Sequence, residues 1–128
     1  MIDRAALEAE TIVLARHLLG EGFDPFGEKR ATLMASLALD GQELPDLSGS
    51  GGKLFAWKEI AEFVFALASF LKTLSELWSV YGRQRTPKEE LDSKWRELDL
   101  PESTKQKIIE NQEYIVDHLA RKFDNGDP

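Results

Sequence analysis

At 128 residues, with 42% hydrophobic and 30% charged side chains, the chain has the length of one domain and a composition that opposes wholesale disorder. A net charge of −7 sets it against the phosphate backbone of nucleic acids, and the absence of cysteine excludes a disulfide framework or a thiolate metal site. Its first ten residues, MIDRAALEAE, are acidic where a secretory signal needs a basic start and an apolar run, so the expected compartment is the cytoplasm.

A first helix is predicted to start after Asp3 and run to about Leu19. Asp3 stands where a cap is wanted, the segment is rich in alanine, and Gly20 can end it in a left-handed conformation. Leu7, Leu14 and Leu18, with Val13 and Ala15 beside them, form its core-facing stripe. Residues 20–29 read as a loop in which Phe23 and Phe26 flank Pro25. Two aromatics so placed either pin the loop to the core or form the lip of a binding surface, and pinning is the preferred reading.

Residues 28–40 carry two patterns. Ala31, Leu33, Met34, Leu37 and Ala38 suit a helix, while Leu33, Ala35, Leu37 and Leu39 alternate as a strand would before the turn-forming pair Asp40-Gly41. Helix is preferred, with Gly41 just past its end and Pro45 blocking continuation. The small polar run at 46–52 reads as a flexible hinge.

The dominant feature is the apolar stretch 54–81, interrupted by only five charges, Lys58, Glu59, Glu62, Lys72 and Glu76. At about 100° per residue, Lys58, Glu59, Glu62, Ser69, Lys72, Thr73 and Glu76 share a sector of roughly 140°. Trp57, Ile60, Phe63, Val64, Leu67, Phe70, Leu71, Leu74, Trp78 and Tyr81 collect opposite, a face wide enough for the centre of a helical bundle. Phe65 falls inside the polar sector, where a monomer gains nothing from it, so it marks a partner surface. The uncharged run 63–71 is too short to span a bilayer, and its flanking glutamates oppose membrane contact.

Beyond Gly82, Thr86-Pro87-Lys88-Glu89 carries the signature of a helix start, with Leu91, Trp95 and Leu98 on one face of the helix that follows. Asp99-Leu100-Pro101-Glu102 opens a last helix reaching about Phe123, with Ile108, Ile109, Ile115, Val116, Leu119 and Phe123 on its buried side. Residues 124–128 form a polar tail. The expected fold is therefore mainly α, a compact bundle of four to five helices around a long central helix at about 54–81, within one helical domain spanning 1–123.

Little chemistry is encoded. His17 and His118 are far apart in sequence and outside any metal-ligand spacing; each reads as a surface or helix-end histidine. The pairs Glu8/Glu10 and Glu110/Glu113 read as solvated helix faces. GSGGK at 49–53 lacks phosphate-loop spacing and has Leu54 where a hydroxyl is needed. No enzyme, cofactor or metal site is expected. Charge is uneven: nine acidic and four basic residues over 1–52 (−5), three and five over 53–85 (+2), eleven and seven over 86–128 (−4). The basic knot at Arg83 and Arg85, with Lys88 nearby, suits a helix C-terminus.

The function read from this pattern is a non-enzymatic protein–protein interaction module, of the adaptor, immunity, inhibitor or small-subunit kind. It would use an acidic surface and the apolar helix to bind another protein, a basic one, or a second copy of itself. Phe65, Trp78 and Tyr81 are the expected contacts, followed by Phe23 and Phe26. The alternative is a helix-turn-helix DNA-binding regulator built from the helical pair at 87–123, with Lys105 and Lys107 meeting phosphate.

Overall fold

The elements run in the order α1 (Arg4–Leu19), a 3-10 turn (Gly20–Gly22), the single helical turn α2 (Phe23–Phe26), α3 (Glu28–Leu39), α4 (Lys58–Tyr81), α5 (Lys88–Arg96), α6 (Glu102–Glu110) and α7 (Gln112–Phe123). They come from a computed structural model that describes residues 2–44, 57–82, 86 and 88–123. The hinge read at 46–52, the GSGGK segment, the start of the apolar stretch at 54–56, Arg83, Arg85, Pro87, the side chain of Phe123 and the tail at 124–128 lie outside the described residues. Among the described residues there is no strand, and the helices form a mainly α bundle around α4. No helix of the described residues is long and apolar enough to cross a membrane.

The ambiguity at 28–40 resolves as helix, and the reason is at its end. Gly41 adopts a φ of 77°, and the Gly41 and Gln42 amides donate to the carbonyls of Ala38 and Leu37. This pair of reversed bonds closes a helix terminus and requires the left-handed conformation that glycine adopts without steric cost. The Arg4 guanidinium, 2.8 Å from Asp40 and 2.8 Å from the Ser36 hydroxyl, ties the start of α1 to this end of α3. α1 and α3 pack on each other and on α4, and α5 and α6 add further walls.

The stretch expected as a loop at 20–29 is a 3-10 turn followed by α2, with Pro25 tolerated in a first helical turn. Phe23 and Phe26 are buried at 1% and 2% exposure, so they pin this turn and present no binding lip. In α1, Leu7, Leu14 and Ala15 are buried as expected, but Val13 is exposed. Asp3 holds the N-cap position without a side-chain capping bond. The last helix is two: Asn111 breaks it, its side chain donating to the Lys107 carbonyl four residues back (2.8 Å).

α4 departs from its expected two-sidedness. Every residue from Ala61 to Leu71 is buried, including Glu62 and Ser69 of the predicted polar stripe and Phe65 itself, which is 5% exposed. Phe65 is thus a core residue and not an exposed patch on a charged edge. The polar sector could be covered because Ser69 donates to the Phe65 carbonyl (3.0 Å), satisfying its hydroxyl within the helix and leaving a small side chain that a neighbouring helix can approach. Of the predicted polar stripe, only Lys58 and Glu59 at one end, and Lys72, Thr73 and Glu76 toward the other, reach the surface.

Candidate functional site

With the middle of α4 enclosed, its C-terminal half carries its most exposed apolar side chains. Leu74 and Trp78, one helical turn apart, form the floor of a groove of about 1070 Å³ walled by α5 on one side and by α6 and α7 on the other. α5 contributes Leu91 and, on the same face, Lys88 and Asp92 at i, i+4 spacing. α6 and α7 contribute Ile109 and Val116 to the apolar lining and Glu110, Glu113 and Asp117 to the rim. Those three carboxylates follow i, i+3, i+7 spacing and so line one edge despite the break at Asn111. Leu74 and Leu91 are buried, Trp78 and Val116 half-buried, and Ile109 and Tyr114 each 38% exposed. Among the described lining residues, four carboxylates against one lysine give a charge of −3. Among the described residues none of those four carboxylates is in an ion pair.

Tyr81 lies one turn beyond Trp78, 38% exposed at the end of α4. The neighbouring Glu90 carboxylate of α5, by its hydrogen-bonding pull on the hydroxyl, with desolvation and its charge, raises the phenol above the ordinary tyrosine range. Of the five residues singled out in the sequence, the structure keeps Trp78 and Tyr81 near open surface and places Phe65, Phe23 and Phe26 in the core.

Folding also brings together groups that sequence distance had separated. His17 of α1 stacks on Tyr114 of α7 (ring centroids 5.1 Å, 9° between planes), and Tyr114 in turn faces His118 at 6.5 Å. His118 Nε2 lies 2.8 Å from Glu10 Oε1, and Lys122 Nζ lies 3.9 Å from Glu10 Oε2. Glu10, read from the sequence as part of a solvated face, is 6% exposed. The spacing was the available signal: Glu10 and His17 are seven apart on α1, and Tyr114, His118 and Lys122 are four apart on α7, so both sets form ladders on facing helices. With Nε2 turned into the carboxylate and a ring face turned toward Tyr114, the imidazole acts as a clasp between α1 and α7. Among the described residues no group of three or more histidines and carboxylates is placed to hold a metal ion.

Phe65 and Ser69 line a separate cleft of about 650 Å³, bordered by Ala38 and Leu44 on one side and by Leu100 and Pro101 on the other. Leu44 adjoins the undescribed residues 45–56. On α6, Lys105 is buried at 8% exposure and donates to the Arg96 carbonyl at the end of α5 (3.0 Å), with Glu102 at 3.9 Å. One of the two lysines that the helix-turn-helix reading assigned to phosphate is thus committed inside the protein, as a cap on the preceding helix. Lys107 lies 4.0 Å from Glu59.

Comparisons with protein-family models, curated proteins and solved structures return no significant match to this chain.

Proposed function

We propose that this protein is a partner-binding module whose contact face is the groove floored by Leu74 and Trp78, with Tyr81 at its end. The observation that carries this reading is an apolar groove in which Trp78, Ile109 and Val116 are partly open to solvent above buried Leu74 and Leu91, flanked by four carboxylates. Tryptophan and tyrosine are the side chains that most often dominate binding energy at protein interfaces, and an apolar centre within a polar rim is the usual anatomy of such a surface. The rim also favours a different chain over a second copy, because pairing two such faces would bring like charges together.

Photo-crosslinking tests this reading. p-Benzoylphenylalanine is placed at Tyr81 or Ile109, and at Leu33, which is 60% exposed on α3, as a control. Irradiation in cells of the source organism is expected to give discrete adducts from the first two positions and none from Leu33. Adducts from all three alike, or from none, would remove the groove as a contact face.

A further inference from the structure

Resting on the proposal that the groove is a contact face, we infer that its occupant is a basic amphipathic helix that lays one apolar stripe along Trp78 and sets lysine or arginine against the acidic rim. Three properties of the groove converge on this occupant. Its walls are helices with an apolar strip between them, the form into which amphipathic helices dock through anchors at i, i+3, i+4 and i+7. Its volume of about 1070 Å³ is at or beyond the upper end of the ~300–1,000 Å³ typical of small-molecule sites, which suits a chain segment. Among its described lining residues the charge is one-sided: Glu110, Glu113 and Asp117 form one acidic edge along α6 and α7, while Lys88 and Asp92 offset each other on the opposite wall. A helix of the same amphipathicity but negative charge would meet repulsion along that edge. A basic one would gain both steering during approach and register once seated.

The probe is an amphipathic leucine/lysine peptide of about 14 residues, roughly four helical turns. Its affinity for the full chain is measured by calorimetry at low and moderate salt. Charge reversal along the rim, Glu113→Lys with Asp117→Lys, alters two exposed helix positions and leaves the core untouched. It is expected to weaken binding about tenfold or more, with the difference shrinking as salt rises. The control reversal, Glu43→Lys with Asp99→Lys, two exposed positions at the separate cleft, is expected to leave affinity within about twofold, since additive surface charge acts weakly at a distance in salt. Ile109→Ser probes the apolar lining without emptying a buried site, and it too should weaken binding.

Equal losses from both reversals would overturn the inference, leaving only general attraction between unlike charges. Equal binding by a leucine/glutamate peptide would also overturn it, as would concentration-dependent dimerisation that the rim reversal alters, which would seat a second copy in the groove. No peptide binding alongside photo-adducts at Tyr81 would reject the basic helix while leaving the contact face standing. Absence of both would remove the two together.

Discussion

Truncating Phe65 to alanine separates the enclosed central helix from a two-sided one. The side chain is 5% exposed, so its removal forfeits a transfer term of about 2–3 kcal/mol. A cavity term of about 24 cal/mol per Å³ is added for any space that stays empty. Phe65 borders the cleft of about 650 Å³, so the hole would join open space and that term should fall at the low end. The sum is about 3 kcal/mol, the lower edge of the usual range for removing a buried phenylalanine. Against a total stability of order 5–15 kcal/mol this is a large fraction. Urea unfolding followed by circular dichroism should show the midpoint falling by about 1–3 M, for a slope of about 1–3 kcal/mol/M. Val80→Ser, at a site 74% exposed in the last turn of the same helix, should stay within about 0.5 kcal/mol of the parent. A Phe65→Ala loss below about 1 kcal/mol would mean that Phe65 stands on an exposed edge and would refute the enclosure of α4.

Three other outcomes follow from particular contacts. Lys105→Met keeps the aliphatic stem but removes the ammonium that caps α5; a loss of about 1–2 kcal/mol is expected, with faster hydrogen exchange at the end of α5, and unchanged exchange there would contradict the cap. In a Tyr114→Phe background, the absorbance of Tyr81 should titrate above the ordinary tyrosine range and return toward it in Glu90→Gln; because the folded-state value is raised, the stabilising contribution is complete below the ordinary tyrosine range and is lost as pH rises through the raised one. A double-mutant cycle between Glu10→Gln and His118→Phe should give a coupling of about 1 kcal/mol or more, whereas Arg16 and Glu28, 3.6 Å apart with both side chains exposed, should couple by close to zero.

Most helix positions were legible in the sequence because each depends on local pattern and punctuation, whereas the turn of helix at 23–26 and the break at Asn111 were not. The Gly41 terminus of α3, the glycine after Tyr81 and the apolar stripe of α1 all stand close to where periodicity and capping rules put them. What failed was the assumption that polar letters mark solvent. Glu62 and Ser69 sit on the expected sector of α4, yet α3 and the other helices close over it, a property of the assembly that no single helical wheel contains. Phe65 was the clue, for an aromatic on a polar edge signals a covered edge as readily as a partner surface. The candidate groove was only half legible. Trp78 and Tyr81 were visible as the aromatic end of the long helix, but the acidic rim joins residues on separate helices whose meeting depends on the turn at 97–101 and the break at Asn111. The clasp of Glu10 with His118 spans 108 residues, and only tertiary packing could pair them.

The chain has three tryptophans, and their indole N–H signals can be followed one by one in a nitrogen-15 spectrum. Trp95 is buried in the core edge-to-face with Phe70, Trp57 packs beneath Arg30 near Phe26, and Trp78 floors the groove. Titration with the leucine/lysine peptide should move the Trp78 signal alone, saturably, and Glu113→Lys with Asp117→Lys should suppress that movement. A shift confined to Trp57, or three signals that stay still while the peptide binds, would place the contact face elsewhere on the molecule.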